Sequence, residues 1–496
     1  MERRAFLRAS GVTGVSLSLP GAAAASGSSG ATAQGTYEPL GRVPITGAAE
    51  AVVGDDGRIA YVAATTGFAS VDVSDPAEPT LLAEERDIEL EDDVLSEILD
   101  ATVDGDRLVV AGPANPGVGP MGFRCYDVSD PADPVSIGGF ETGYHIHNCY
   151  LDGESLYVVA NTPEENPLAI YDVGGEEIAR VGDWSLVEYA PGWSDVDWFY
   201  RYLHDVTVHD GIAYLAHWNA GTYLIDVSDP TAPEYVSHVA ETTLEEQREI
   251  DDWEAAVYGL PGNDHYAAVD DAGDLMAVGR EAWAVDGEDP DRPGGIDLYD
   301  VSDPEDPVRR GSIDPPRTTD ETHGAGAWTT SHNFEFRDEH LYSSWYRAGV
   351  KIHDVSDPAS PEQIAWWRDP EKTGFWTARV AEPGETFVAS STEAIPNTSL
   401  EGALYTFPIE AGEQADPPSL QDPASWTTDG DETDNGNESN ASDGPADGDD
   451  TGGNETAGDG SSGDGDSISG FTGLAGVVGG GVALEWLRRR SGNVQD

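Results

Sequence analysis

The chain has 496 residues, and its 94 acidic side chains against 25 basic ones leave a net charge of −69. A surface this acidic repels nucleic-acid phosphates and anionic lipid headgroups, so no nucleic-acid partner is expected, and membrane contact is left to a dedicated segment. Salt screens such repulsion, and the composition suits a surface that works at very high salt.

The chain opens on Glu2-Arg-Arg-Ala-Phe-Leu-Arg8, then a weak apolar run from Val12 to Leu19 and small residues from Ala22 to Ser26. This order resembles a twin-arginine secretion signal, and residues 1–26 are read as a signal peptide for a protein exported folded. The next stretch, Tyr37-Glu-Pro-Leu-Gly-Arg-Val-Pro-Ile45, reads as an outer strand with no hairpin before it.

From there a unit repeats. Asp72-Val-Ser-Asp-Pro-Ala-Glu-Pro79 recurs from Asp127, Asp226, Asp300 and Asp354, with a degenerate copy at Asp172-Val-Gly-Gly and Tyr405-Thr-Phe-Pro in the same place. The spacings of 55, 45, 54, 74, 54 and about 52 residues suit one propeller blade each. Each pentad follows an alternating apolar run such as Gly221-Thr-Tyr-Leu-Ile-Asp. Proline fixes its own φ and extends the residue before it, and the serine can bond the turning backbone, so the pentad is a turn. The second proline opens a further apolar run, which only an edge tolerates, so that strand is the outermost. Earlier in each unit a tight turn such as Asp104-Gly-Asp-Arg or Asp210-Gly separates two more apolar runs.

Seven four-stranded units follow, the last lacking its outer strand. Tyr37–Ile45 supplies the missing strand, so the expected fold is all-β, a closed seven-bladed propeller over residues 37–410. The repeated third strand with its Asp-Val-Ser-Asp-Pro turn is similar to the LVIVD repeat family of extracytoplasmic propeller proteins, over about Tyr37 to Glu410.

Residues 415–467 are Asp, Gly, Asn, Thr and Ser with almost no apolar side chains, a composition that cannot bury a core and reads as a disordered linker. Residues 468–490 hold a short glycine-rich apolar segment closed by Glu485-Trp-Leu-Arg-Arg-Arg490. This resembles the carboxy-terminal sorting signals of haloarchaeal surface proteins, with Ser469-Gly-Phe where those carry Pro-Gly-Phe. The resemblance implies an extracytoplasmic, surface-retained protein that touches the membrane through this segment alone. Two cysteines, Cys125 and Cys149, are too few for a disulfide scaffold, and a bridge between them is left open.

Counting back five residues from each hairpin turn places His147, His204, His265 and His332 at one register of the first strand, with Glu50 in that place in the first unit. First strands line a propeller channel, so these groups are expected to converge on the axis. Four imidazoles and a carboxylate suit one transition-metal ion, zinc, iron or copper. The alternative is structural: in LVIVD repeats this position often bonds a neighbouring blade. Long insertions at 184–203, 241–263, 313–331 and 369–375 leave from the same face carrying Trp193, Trp198, Trp253 and Trp328, and a cup for a small-molecule or protein ligand is expected there. No phosphate loop, Cys-x-x-Cys or nucleophile elbow occurs. Two functions follow: a surface-anchored binding scaffold, or a metalloenzyme, oxidoreductase or hydrolase, built on the histidines.

Overall fold

The computed structural model describes residues 36–422 except 92, 118, 176, 286–290, 383 and 396–397. The signal peptide, the acidic linker beyond 422 and the carboxy-terminal segment lie outside the described residues.

Seven antiparallel sheets form the blades. The fourth is representative: Asp205–His209 lines the channel, Ile212–His217 and Gly221–Asp226 follow, and Glu234–Val239 lies outermost. First strands contact their neighbours in cyclic order, and Phe375–Val380 of blade seven meets Ala51–Val53 of blade one, which completes the ring. Gly41–Pro44 pairs antiparallel with Ala403–Pro408 (Gly41 opposite Thr406, Pro44 opposite Ala403) as the outer strand of blade seven. Beyond this, Gly412–Glu413 adds a parallel fifth strand to blade six, opposite Ala365 and Trp366.

Burial follows the sequence pattern. Inner strands are buried, whereas the outer strand of blade two leaves Val135 and Ile137 at 55% and 50% exposure. In the pentad turns, Asp226 Oδ1 accepts from the Ser228 N–H at 2.9 Å and hydroxyl at 2.6 Å, and Asp229 Oδ1 accepts from the Thr231 N–H at 3.0 Å. The serine therefore bonds the aspartate carboxylate rather than the turning backbone, and two linked Asx turns hold the corner.

The same corner wedges the blades together. Ser70 Oγ donates to the Pro131 carbonyl of the next blade at 2.5 Å, Ser237 does so to Pro304, and Thr406 to Pro76. Where the outer strand meets that carbonyl most closely the residue is glycine: a Cβ on Gly182 would lie 2.0 Å from Pro230 O.

Candidate metal centre and channel

First strands begin with an irregularity that sets the site. Ala49 N–H donates to Ala63 O while Ala63 N–H donates to Glu50 O, and His332, Asn333 and Ser344 repeat the arrangement. In blade five the ladder passes from Asp264 to Tyr266 and leaves His265 unpaired, and in blade seven it skips Trp376. Two consecutive residues thus oppose one partner, a β-bulge, which releases strict alternation and re-aims side chains. His204 and Asp205 share Ala216 in this way, and both reach the axis.

Two layers result. One holds Ala49, Leu99, His147, His204, His265, His332 and Trp376, and the next holds Glu50, Asp100, Asn148, Asp205, Tyr266, Asn333 and Thr377. Glu50 therefore stands in the carboxylate layer and not in the histidine register. The cause is the first hairpin, where Val53 faces Ala60 across six residues instead of the two between Asp104 and Arg107, so counting from the turn misplaces it. Its carboxylate is held by Arg379 at 2.8 Å, Asn333 at 2.7 Å and Thr377 at 3.0 Å.

The four histidines form an arc across four blades. Ring centres are 4.2 Å apart for His147 and His204, 3.9 Å for His204 and His265, and 4.5 Å for His265 and His332. The outer two are fixed through one nitrogen: His147 Nδ1 donates to Ala114 O at 3.0 Å and His332 Nδ1 to Trp376 O at 2.6 Å. That bond sets the tautomer and leaves Nε2 as the lone-pair nitrogen, the usual support of a metal-ligating imidazole. His204 and His265 have no hydrogen-bond partner at either nitrogen among the described residues. The His265 main chain lies beside the His204 ring without meeting hydrogen-bond geometry. Burial holds all four rings neutral, His147 down at about 4, His332 at about 3, and the inner pair well below the ordinary imidazole range.

Glu281 joins them. Its Oε2 stands 3.5 Å from His265 Nε2, and ligand atoms of His204, His265 and Glu281 all lie within 4.8 Å of one another. Its other oxygen accepts from the Tyr346 hydroxyl, and burial raises its carboxyl to about 7. Glu281 was missed because it sits just past a second strand, where blades four and six place Trp218 and Tyr346. The visible signal was the charged pair Arg280-Glu281 ending an apolar strand. Arg280 is spoken for by Asp264 at 3.1 Å and Asp297 at 2.5 Å.

Above the arc the insertions close rather than form a cup. Trp283, Trp328, Tyr346 and Trp376 pack in one buried cluster with Ala49 and Leu99, and Phe199, Tyr202 and Trp218 in another. The histidines are left 2–7% exposed. Trp193 packs between blades, while Trp198 and Trp253 are half-buried. Space opens at the opposite end, where a cavity of about 510 Å³ runs from Glu50, Asp100 and Asp205 toward the hairpin turns at Asp55 and Asp271. Cys125 and Cys149 are free, buried thiols.

Comparison with known proteins fits this architecture. Residues 56–84 and 201–241 match the family model of the LVIVD repeat. The β-propeller domain of Cps50 (Swd1) from Myceliophteria thermophila superposes with a TM-score of 0.51 at 8% identity, over 75% of this chain and 99% of that one. At that identity the likeness is one of fold. No curated protein matches the sequence. The chain is a seven-bladed β-propeller, and the LVIVD repeat is matched within its first and fourth blades.

Proposed function

We propose that this propeller is an exported protein retained at the cell surface, that it works by binding, and that its axis holds one transition-metal ion. His204, His265 and Glu281 supply the first ligands, with His147 and His332 flanking them. The observation that carries the reading is the pair of buried imidazoles, His204 and His265, with no hydrogen-bond partner at any of their four ring nitrogens among the described residues. Leaving a buried polar group unmatched costs roughly 1–3 kcal/mol, and neutral nitrogens are the donors that zinc, copper and iron accept. Two ligands at about 2.0–2.1 Å in a tetrahedral site lie about 3.3 Å apart, close to the His265–Glu281 contact of 3.5 Å.

The test is elemental analysis of the full chain purified from its own host, beside a variant carrying His204→Ala and His265→Ala. One equivalent of metal in the first and none in the folded second is the expected result. Metal-free wild type, with a double variant that only melts earlier, returns the histidines to a structural role and leaves the scaffold reading. Metal-assisted oxidation or hydrolysis is the narrower form of the proposal. For a protein partner we favour the insertion face, where Trp253 stays half-exposed and donates its indole N–H to Asp197 at 3.3 Å. Among the described residues no helix is long and apolar enough to cross a membrane. Retention is assigned to residues 468–490 because their apolar run and basic end resemble a sorting signal.

A further inference from the structure

The cavity on the hairpin side lies beyond the histidine arc and takes no part in the metal reading. At about 510 Å³ it falls in the range of small-molecule sites. Its two wall arginines are already neutralised: Arg379 meets Glu50 at 2.8 Å, and Arg337 meets Glu335 at 2.7 Å. Arg379 also donates to the Tyr266 hydroxyl and the Phe334 carbonyl, both at 2.8 Å, which uses the donors on its inner face.

Toward the mouth Arg337 Nε and His209 Nε2 lack hydrogen-bond partners among the described residues, whereas at the inner end the unmatched atom is an acceptor. Asp205 lines the inner end, is 3% exposed, and its Oδ1 has no hydrogen-bond partner among the described residues. Asp100 lines the same end, with one carboxylate oxygen taking the Cys149 N–H at 2.7 Å. Tyr150, Tyr266 and Phe334 give the space aromatic sides, and Asp55, Asp56 and Asp271 make its mouth acidic. An acidic mouth raises the local concentration of cations and repels anions. A buried carboxyl oxygen without a partner is free to accept a hydrogen bond from a ligand, a charged donor giving the stronger bond, and aromatic faces favour the alkyl and cationic parts of such a ligand.

We infer that the central channel is a binding site for a small organic cation carrying a primary ammonium group, which donates to Asp205 beside Asp100 while its alkyl part lies against Tyr150 and Tyr266. The probe is n-butylammonium, with 1-butanol as the uncharged counterpart. Both are titrated calorimetrically into the full chain at fixed potassium chloride, and the melting temperature is followed in parallel. Butylammonium is expected to bind and raise the melting temperature, butanol to do neither, and Asp205→Asn to weaken butylammonium binding at least tenfold. No binding of butylammonium to the wild type, equal binding of butanol, or an Asp205→Asn protein that binds as the wild type does would each overturn the proposal. Should Asp205→Asn not fold, the comparison of the two probes on the wild type decides alone. Metal content, measured separately, keeps failure of this site distinct from failure of the metal centre.

Discussion

His204 and His265 lie on different blades, yet their ring centres are 3.9 Å apart and neither ring has a hydrogen-bond partner among the described residues. Apolar packing does not require imidazoles there, since Leu99 and Trp376 fill the same layer in other blades. Glu281 sharpens the test. Glu281→Gln keeps the shape but removes the anionic ligand, so metal content is expected to fall roughly tenfold or more. A neutral amide is also cheaper to bury than a carboxylate, so the metal-free variant should melt no earlier than metal-free wild type. Unchanged metal content in Glu281→Gln, by elemental analysis, removes Glu281 from the ligand set.

Ring closure rests on a strand from the far end of the chain. Tyr37 donates its hydroxyl to Pro408 O at 3.2 Å, and Leu40 N–H donates to Thr406 O at 2.8 Å. Deleting residues 36–45 leaves Ala403–Pro408 as a bare edge, which pairs with other chains when uncovered. The truncated protein is expected to melt earlier and to form oligomers in size-exclusion chromatography. A truncated chain that stays monomeric at the wild-type melting temperature contradicts this role.

The ring of blades was legible because one turn motif repeats, and its physics is local: an aspartate, a serine and two prolines fix a corner wherever they occur. The histidine register was legible for the same reason. What could not be read was the bulge that lets His204 and Asp205 both face the axis, because alternation predicts opposite faces and the bulge shows only in the hydrogen bonds. Glu50 was displaced by one residue for a related reason, a longer first hairpin. The closure of the insertions over the histidines depends on Trp283, Trp328 and Tyr346 meeting from distant loops, which no spacing reveals.

Acid should loosen the corners. Asp72, Asp127, Asp226, Asp300 and Asp354 each accept from the serine two residues on, which holds their carboxyls below the ordinary range; at Asp300, Arg310 adds to Ser302 and the value falls to about 2. Folded values lie below the unfolded value of about 3.9, so the folded state releases these protons more readily. The stabilisation is complete above the unfolded value and is lost as pH falls through the folded ones. Melting temperature should therefore drop as pH falls below about 4. Replacing all five aspartates with asparagine, which still accepts the bonds but does not titrate, should flatten that drop. An equally steep fall in the variant would assign it to other groups.

Export can be tested without touching the propeller. Replacing Arg3 and Arg4 with lysine should leave precursor inside the cell, because the twin-arginine route reads the arginine pair. Removing Gly470 onward should release the chain into the medium. Fractionation with an antibody to the propeller distinguishes these outcomes, and normal export of the lysine variant rejects the twin-arginine reading.

Blade packing makes the sharpest prediction about stability. A Cβ at Gly182 would sit 2.0 Å from Pro230 O, and one at Gly311 would sit 2.1 Å from Pro358 O. Both carbonyls belong to pentad turns of the following blade, and the turns are held by their aspartate bonds, so neither can retreat without breaking an Asx corner. At neither position is φ in the left-handed region, so the requirement for glycine is steric contact between blades. Overpacking of this kind costs about 1–3 kcal/mol. Gly182→Ala and Gly311→Ala are each expected to lower stability by that amount in denaturant unfolding. Gly138→Ala is the control, also on an outer strand, because its Cβ would meet only the Ile178 side chain at 3.4 Å. Equal stability of all three variants would show that the pentad carbonyl does not set the spacing between blades.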